Sequence, residues 1–272
     1  MFSDTLKRLV PGGVRGFDRL ALFASVGGLL VISWWYLVHL WLNMSEMPMD
    51  QDGHAMMTQS WNMSEFVRML LMWVVMMVAM MVPTAARSVL MFERISQLRT
   101  GSAQVALLVF WFVGGYVIAW SAFGLVATIV QLELQTAALL TENMSLASPI
   151  AGAGVLIAAG VWQLTPIKNA CLRHCRSPVD FLLHHYRPGG WGATRTGVLH
   201  GLYCLGCCWV LMGLLFVGGV MSLAWIIGLT AFVLVEKLLP GGEKTARLFG
   251  VMMILTGGAG LLWPGVLVGI IH

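Results

Sequence analysis

Residues 69–81, MLLMWVVMMVAMM, carry no charge and belong to one of several long apolar runs that recur along the chain. A run of roughly 20 apolar residues spans a hydrocarbon core about 30 Å thick as a helix. In lipid, only helices and closed barrels satisfy every backbone N–H and C=O. The runs here are continuous and lack the alternating pattern of a barrel strand. They restrict the chain to an all-α fold, a polytopic transmembrane helical bundle. Hydrophobic residues make up 58% of the sequence and charged residues 10%, against about 25% charged in a soluble domain. Too little polar surface is available to face water.

About seven spans are predicted, over roughly 20–42, 64–90, 104–131, 149–171, 196–219, 221–238 and 246–270. A six-span reading, with 196–238 partly re-entrant, is the alternative. Residues 1–19 form a basic N-terminal segment carrying Lys7, Arg8, Arg15 and Arg19. The apolar run after it is too long for a signal-peptide core and lacks a small-residue cleavage site, so it is expected to stay as an anchor. Residues 20–272 form one transmembrane domain with an outer loop at 43–63. Lysine and arginine favour the cytoplasmic side, and with the N-terminus inside only Arg68, of 16 lysines and arginines, falls outside. Glu46, Asp50, Asp52, Glu65, Glu133 and Glu142 fall in or beside the outer loops. These features predict a bacterial inner-membrane protein with a cytoplasmic N-terminus, a periplasmic C-terminus and the lipid bilayer as its partner. The net charge of +4 reflects topology and implies no nucleic acid.

Local signals mark the helix ends. Asn62 with Glu65 three residues on reads as a capping box, and Pro83 as a kink. Ser148-Pro149 and Thr165-Pro166 each place a cap before a proline at the first helical position. Gly152, Gly154 and Gly160 permit close helix approach. FLLHHYRPGGWG reads as an interfacial turn and loop.

The stretch HGLYCLGCCW, residues 200–209, concentrates the candidate chemistry. At about 100° per residue, His200, Cys204, Cys207 and Cys208 share one helix face about 100° wide. Cys171 and Cys175 lie four apart near the end of the preceding span, so all five cysteines belong to the cytoplasmic half. Reducing conditions there disfavour structural disulfides, whereas thiolates suit Cu(I) or, as a second choice, Zn(II). Against this, cysteine packs readily as a small buried hydrophobe. His174, His184 and His185 read as interfacial residues.

Methionine occurs 19 times. Met44, Met47, Met49, His54, Met56 and Met57 fall in the polar outer loop, where thioethers could capture Cu(I) in an oxidising compartment. Met69, Met72, Met76 and Met80 form a stripe on the second span. Such a stripe ordinarily packs a core, but Met76 and Met80 are also candidate ligands between the outer loop and the cysteines. Glu236 and Lys237 end the sixth predicted span, either as interfacial anchors or, for Glu236, as a ligand or proton acceptor. No P-loop, dinucleotide fingerprint, HExxH motif or nucleophile elbow is present, which weighs against an enzyme.

Three segments together resemble a bacterial family of predicted metal-binding integral membrane proteins of unknown function: MLLMWVVMMVAMMVPTAARSVLMFERI, CLRHCRSPVDFLL, and HGLYCLGCCWVLMGLLFVGGVMSLAWIIGLTAFVLVEKLLPGG. The resemblance covers about residues 61–240. It implies an inner-membrane protein whose suspected metal ligands are Cys171, Cys175, His200, Cys204, Cys207 and Cys208. The leading expectation is therefore a copper-binding membrane protein acting in transport or in delivery to a membrane enzyme. The alternatives are an accessory or assembly subunit of a larger membrane complex, such as a copper or haem oxidase or monooxygenase, and a membrane thiol redox protein.

Overall fold

The computed structural model describes residues 16–45, 62–100, 104–141, 144–239 and 241–263. Among these, eleven α-helices and one 3-10 turn make up the fold, and the one β-type pairing is an isolated bridge between Leu140 and Leu146. The helices are α1 (Gly16–Ser45), α2 (Met63–Met81), α3 (Ala86–Thr100), α4 (Val105–Thr136), α5 (Pro149–Leu164), α6 (Pro166–Arg176), α7 (Pro178–His185), α8 (Gly189–Gly213), α9 (Leu215–Gly218), α10 (Leu223–Leu238) and α11 (Gly242–Leu262).

The predicted caps are in place. Asn62 Oδ1 accepts from the Glu65 N–H at 3.0 Å, while the Glu65 carboxylate turns to Arg68. Ser148 caps α5 and Thr165 caps α6, each followed by proline. At Pro83 the chain tightens into the 3-10 turn Pro83–Ala85 before resuming as α3, because proline offers no N–H to the helix ladder. At Thr165 the break is sharper, with α5 and α6 meeting at 66°. FLLHH is helical, inside α7, rather than loop.

Among the described residues, five helical segments are long and apolar enough to cross a membrane, and the bent α5–α6 pair brings the count to six. The sixth expected span, 221–238, is α10, 16 residues long. At 1.5 Å per residue that is about 24 Å, short of a hydrocarbon core about 30 Å thick.

Small residues set the closest helix contacts. A β-carbon on Gly197 of α8 would lie 2.0 Å from the Phe112 carbonyl oxygen of α4, and one on Gly115 of α4 would lie 2.1 Å from the Thr194 carbonyl oxygen. The two backbones therefore touch along this seam, as packing in lipid favours. Gly160 of α5 meets α11 in the same way, whereas Gly154 faces open space. The core fills with Trp73, Met77, Met80, Met81, Phe92, Phe112, Trp120, Leu211 and Met212, all fully or almost fully buried.

Candidate metal centre

The site forms where the break in α2 meets α8 and the end of α10. Because Pro83 interrupts the ladder, the Met81 carbonyl oxygen accepts from the hydroxyls of Thr84 at 2.7 Å and Tyr116 at 3.0 Å. The Tyr116 oxygen also lies 2.9 Å from Cys204 Sγ. Across from it, the Lys237 ammonium donates to Cys204 Sγ at 2.7 Å and reaches Thr84 Oγ1 at 3.4 Å and Cys208 Sγ at 3.9 Å.

The end of α10 that carries Lys237 is held on several sides. Arg87 donates to the Leu238 carbonyl oxygen, and Arg176 donates to that of Leu239 at 2.9 Å, satisfying carbonyls that a helix end leaves open. Glu236 pairs with Lys168 of α6, which also donates to Gln163 of α5. Glu236 and Lys237 are each only 2% exposed. The expectation that they anchor a helix at the interface is therefore corrected: both point into the protein, because α10 ends among other helices.

The thiols gather from two helices. Cys204, Cys207 and Cys208 of α8 are each 1% exposed. Cys175 of α6 is buried, and its thiol interacts with those of Cys204 and Cys207. Cys171, one turn earlier on α6, is half-buried, with its sulfur against Gly206 of α8. All five cysteines are free thiols. Cys207 and Cys208 donate to the Cys204 carbonyl oxygen at 3.0 and 2.9 Å. Their sulfurs thus serve local bonds, and no three His, Cys, Asp or Glu side chains among the described residues stand arranged as a metal cage. Gathering them around an ion requires side-chain rotation about bonds whose preferred rotamers interconvert readily.

His200 stands one turn before Cys204, enclosed by the rings of Phe112, Tyr116 and Phe181. It is 1% exposed, and its Nδ1 has no hydrogen-bond partner, which is uncommon for a buried polar atom. His174, His184 and His185 instead bond the backbone carbonyls four residues back. Met76 and Met80 pack in the core with Met72, Met77 and Met81, so the stripe on α2 ends beside the Tyr116 hydroxyl. Met44 lies in α1, but its side chain is outside the description; Met47, Met49, His54, Met56 and Met57 lie outside the described residues.

The cysteines and His200 are singled out by sequence, and Lys237 is placed only as an anchor at a span's end; Tyr116 and Lys168 are not singled out. One signal was available: adjacent Glu and Lys inside the apolar run FVLVEKLL, where ionisable side chains need a partner. The donor set of buried thiols with a neighbouring imidazole fits a soft cation such as Cu(I).

No curated protein and no solved structure is similar to the chain. A family model described as PpoB2, copper chaperone, matches residues 70–260. That stretch includes all five cysteines, His200, Tyr116, Lys168 and Lys237, while the methionines of the outer loop precede it. Since the match spans well over half of the chain, the protein belongs to the PpoB2 copper-chaperone family.

Proposed function

We propose that this chain is a Cu(I) carrier of the bacterial inner membrane, holding the ion on thiols drawn from the cluster of Cys175, Cys204, Cys207 and Cys208 for delivery to a membrane enzyme. The observation that carries this reading is the burial of four interacting thiols from α6 and α8 away from solvent. Cysteines that merely fill space need no polar company. Here they have collected a lysine ammonium and a tyrosine hydroxyl at depth.

In this reading copper is cargo, and the protein performs no reaction on it. Met44, Met47, Met49, His54, Met56 and Met57 capture the ion outside, Met76 and Met80 lie along its way, and Cys171 and His200 flank the thiols. Loading an enzyme in this way is itself an assembly role, so the accessory-factor reading describes the same act from the enzyme's side.

Metal content after Cu(I) loading of detergent-purified, reduced protein tests the reading. We expect close to one copper per chain, lost in a Cys204→Ser, Cys207→Ser, Cys208→Ser variant that keeps the parent's melting behaviour. A parent that binds no copper under these conditions would overturn it. The lysine and arginine distribution further predicts an orientation with residues 46–61 periplasmic and 177–190 cytoplasmic. Alkaline phosphatase fused after residue 55 should then be active and after residue 188 inactive; the reverse pattern would invert the route.

A further inference from the structure

We infer that Lys237 is the counter-ion of the loaded site, and that it tunes the site to a monovalent soft cation held by two thiolates. The inference rests on the copper-carrier reading and goes beyond it by assigning a role to a residue outside the donor set.

A buried ammonium needs an opposite charge or full hydrogen bonding. Lys237 is 2% exposed, and its partners are Cys204 Sγ, Cys208 Sγ and Thr84 Oγ1. Among the described residues no carboxylate pairs with it, since the adjacent Glu236 is engaged by Lys168. The thiols of Cys175 and Cys207 also lie near enough to interact with it but make no hydrogen bond to its ammonium; Tyr116 bonds Met81, and Arg87 and Arg176 are cations on the α10 end. The groups that touch Lys237 and can carry negative charge are the sulfurs of Cys204 and Cys208.

Charge counting then fixes its role. Thiols bind a metal as thiolates, each losing its proton. One Cu(I) on two thiolates has a net charge of minus one, which burial penalises. The ammonium beside those two sulfurs brings the assembly to zero. A unit charge about 4 Å away acts far more strongly in such a region than in water. Ag(I), with the same charge and softness, should behave like Cu(I). The opposite role is also open to a buried lysine: it could stand in for the metal and compete with it. The two roles predict opposite signs.

The experiment compares Cu(I) affinity, by competition with a chromophoric Cu(I) chelator, for the parent, Lys237→Gln and Lys237→Arg, with Ag(I) as a second probe. Melting temperatures and X-ray absorption at the copper edge are read in parallel. As counter-ion, Lys237→Gln weakens both ions on the order of a hundredfold, Lys237→Arg restores most of the loss, and the parent shows two sulfur neighbours around copper. Unchanged affinity in a folded Lys237→Gln variant would overturn the inference, and tighter binding would identify the lysine as a competing cation. If Lys237→Gln does not fold, weak binding by folded Lys237→Arg together with three or more sulfurs in the parent would also overturn it. A parent that binds neither ion removes the carrier reading itself, a result distinct from all of these.

Discussion

Lys168 is fully buried, and its ammonium meets the Gln163 side-chain oxygen of α5 and the Glu236 carboxylate of α10. The pair ties the bent α5–α6 element to the helix that presents Lys237. Removing one partner of a buried ion pair strands the other charge, at a cost of about 3–5 kcal/mol, whereas exchanging both for apolar residues is often neutral. Glu236→Gln should therefore lower stability by about that amount, and Lys168→Met combined with Glu236→Leu should recover most of it. Thermal unfolding in detergent distinguishes the cases; a loss below about 1 kcal/mol in the single variant would mean that the pair holds little together. Because Lys237 follows Glu236 directly, the single variant should also disturb copper affinity more than the double.

At the scale of elements, the α4–α8 seam decides where the thiols stand. A methyl group at Gly197 would meet the Phe112 carbonyl oxygen at 2.0 Å, and backbone cannot yield as a flexible side chain can. Gly197→Ala should cost about 1–3 kcal/mol by overpacking and expose Cys204 to a membrane-permeant maleimide. Gly154→Ala, which meets open space, should be neutral or stabilising by up to about 1 kcal/mol. Equal labelling and melting of the two variants would refute the seam's role. The contrast also shows what the sequence discloses. Apolar runs and the caps at Asn62, Ser148 and Thr165 reveal the helices, because length, hydropathy and capping are local properties. The single-face pattern of His200, Cys204, Cys207 and Cys208 is local too, and so it was legible. Gly160 and Gly154 look alike in sequence, and only their neighbours on other helices separate them. Lys237 was misplaced for the same reason: its position near a span's end suggests water, while the surrounding helices deny it.

For the whole molecule, the described helices enclose the sulfurs of α8 completely, with Cys204, Cys207 and Cys208 each 1% exposed. α10 is too short to span a bilayer by itself and reaches inward to end beside them. Among the described residues, five or six segments long and apolar enough to cross a membrane accompany a polar centre built from a proline break, a lysine and four thiols. Enclosure of this kind has a kinetic meaning. On the proposed carrier reading, an acceptor arriving from outside would find the sulfurs of Cys204, Cys207 and Cys208 out of reach, so handover from them would not proceed by simple collision. Its pace would be set by how often the helices part, and beyond a certain acceptor concentration adding more would not hasten release. On that reading, the same enclosure would protect the cargo from stray thiols and make the protein a slow donor whose timing follows the opening of the bundle.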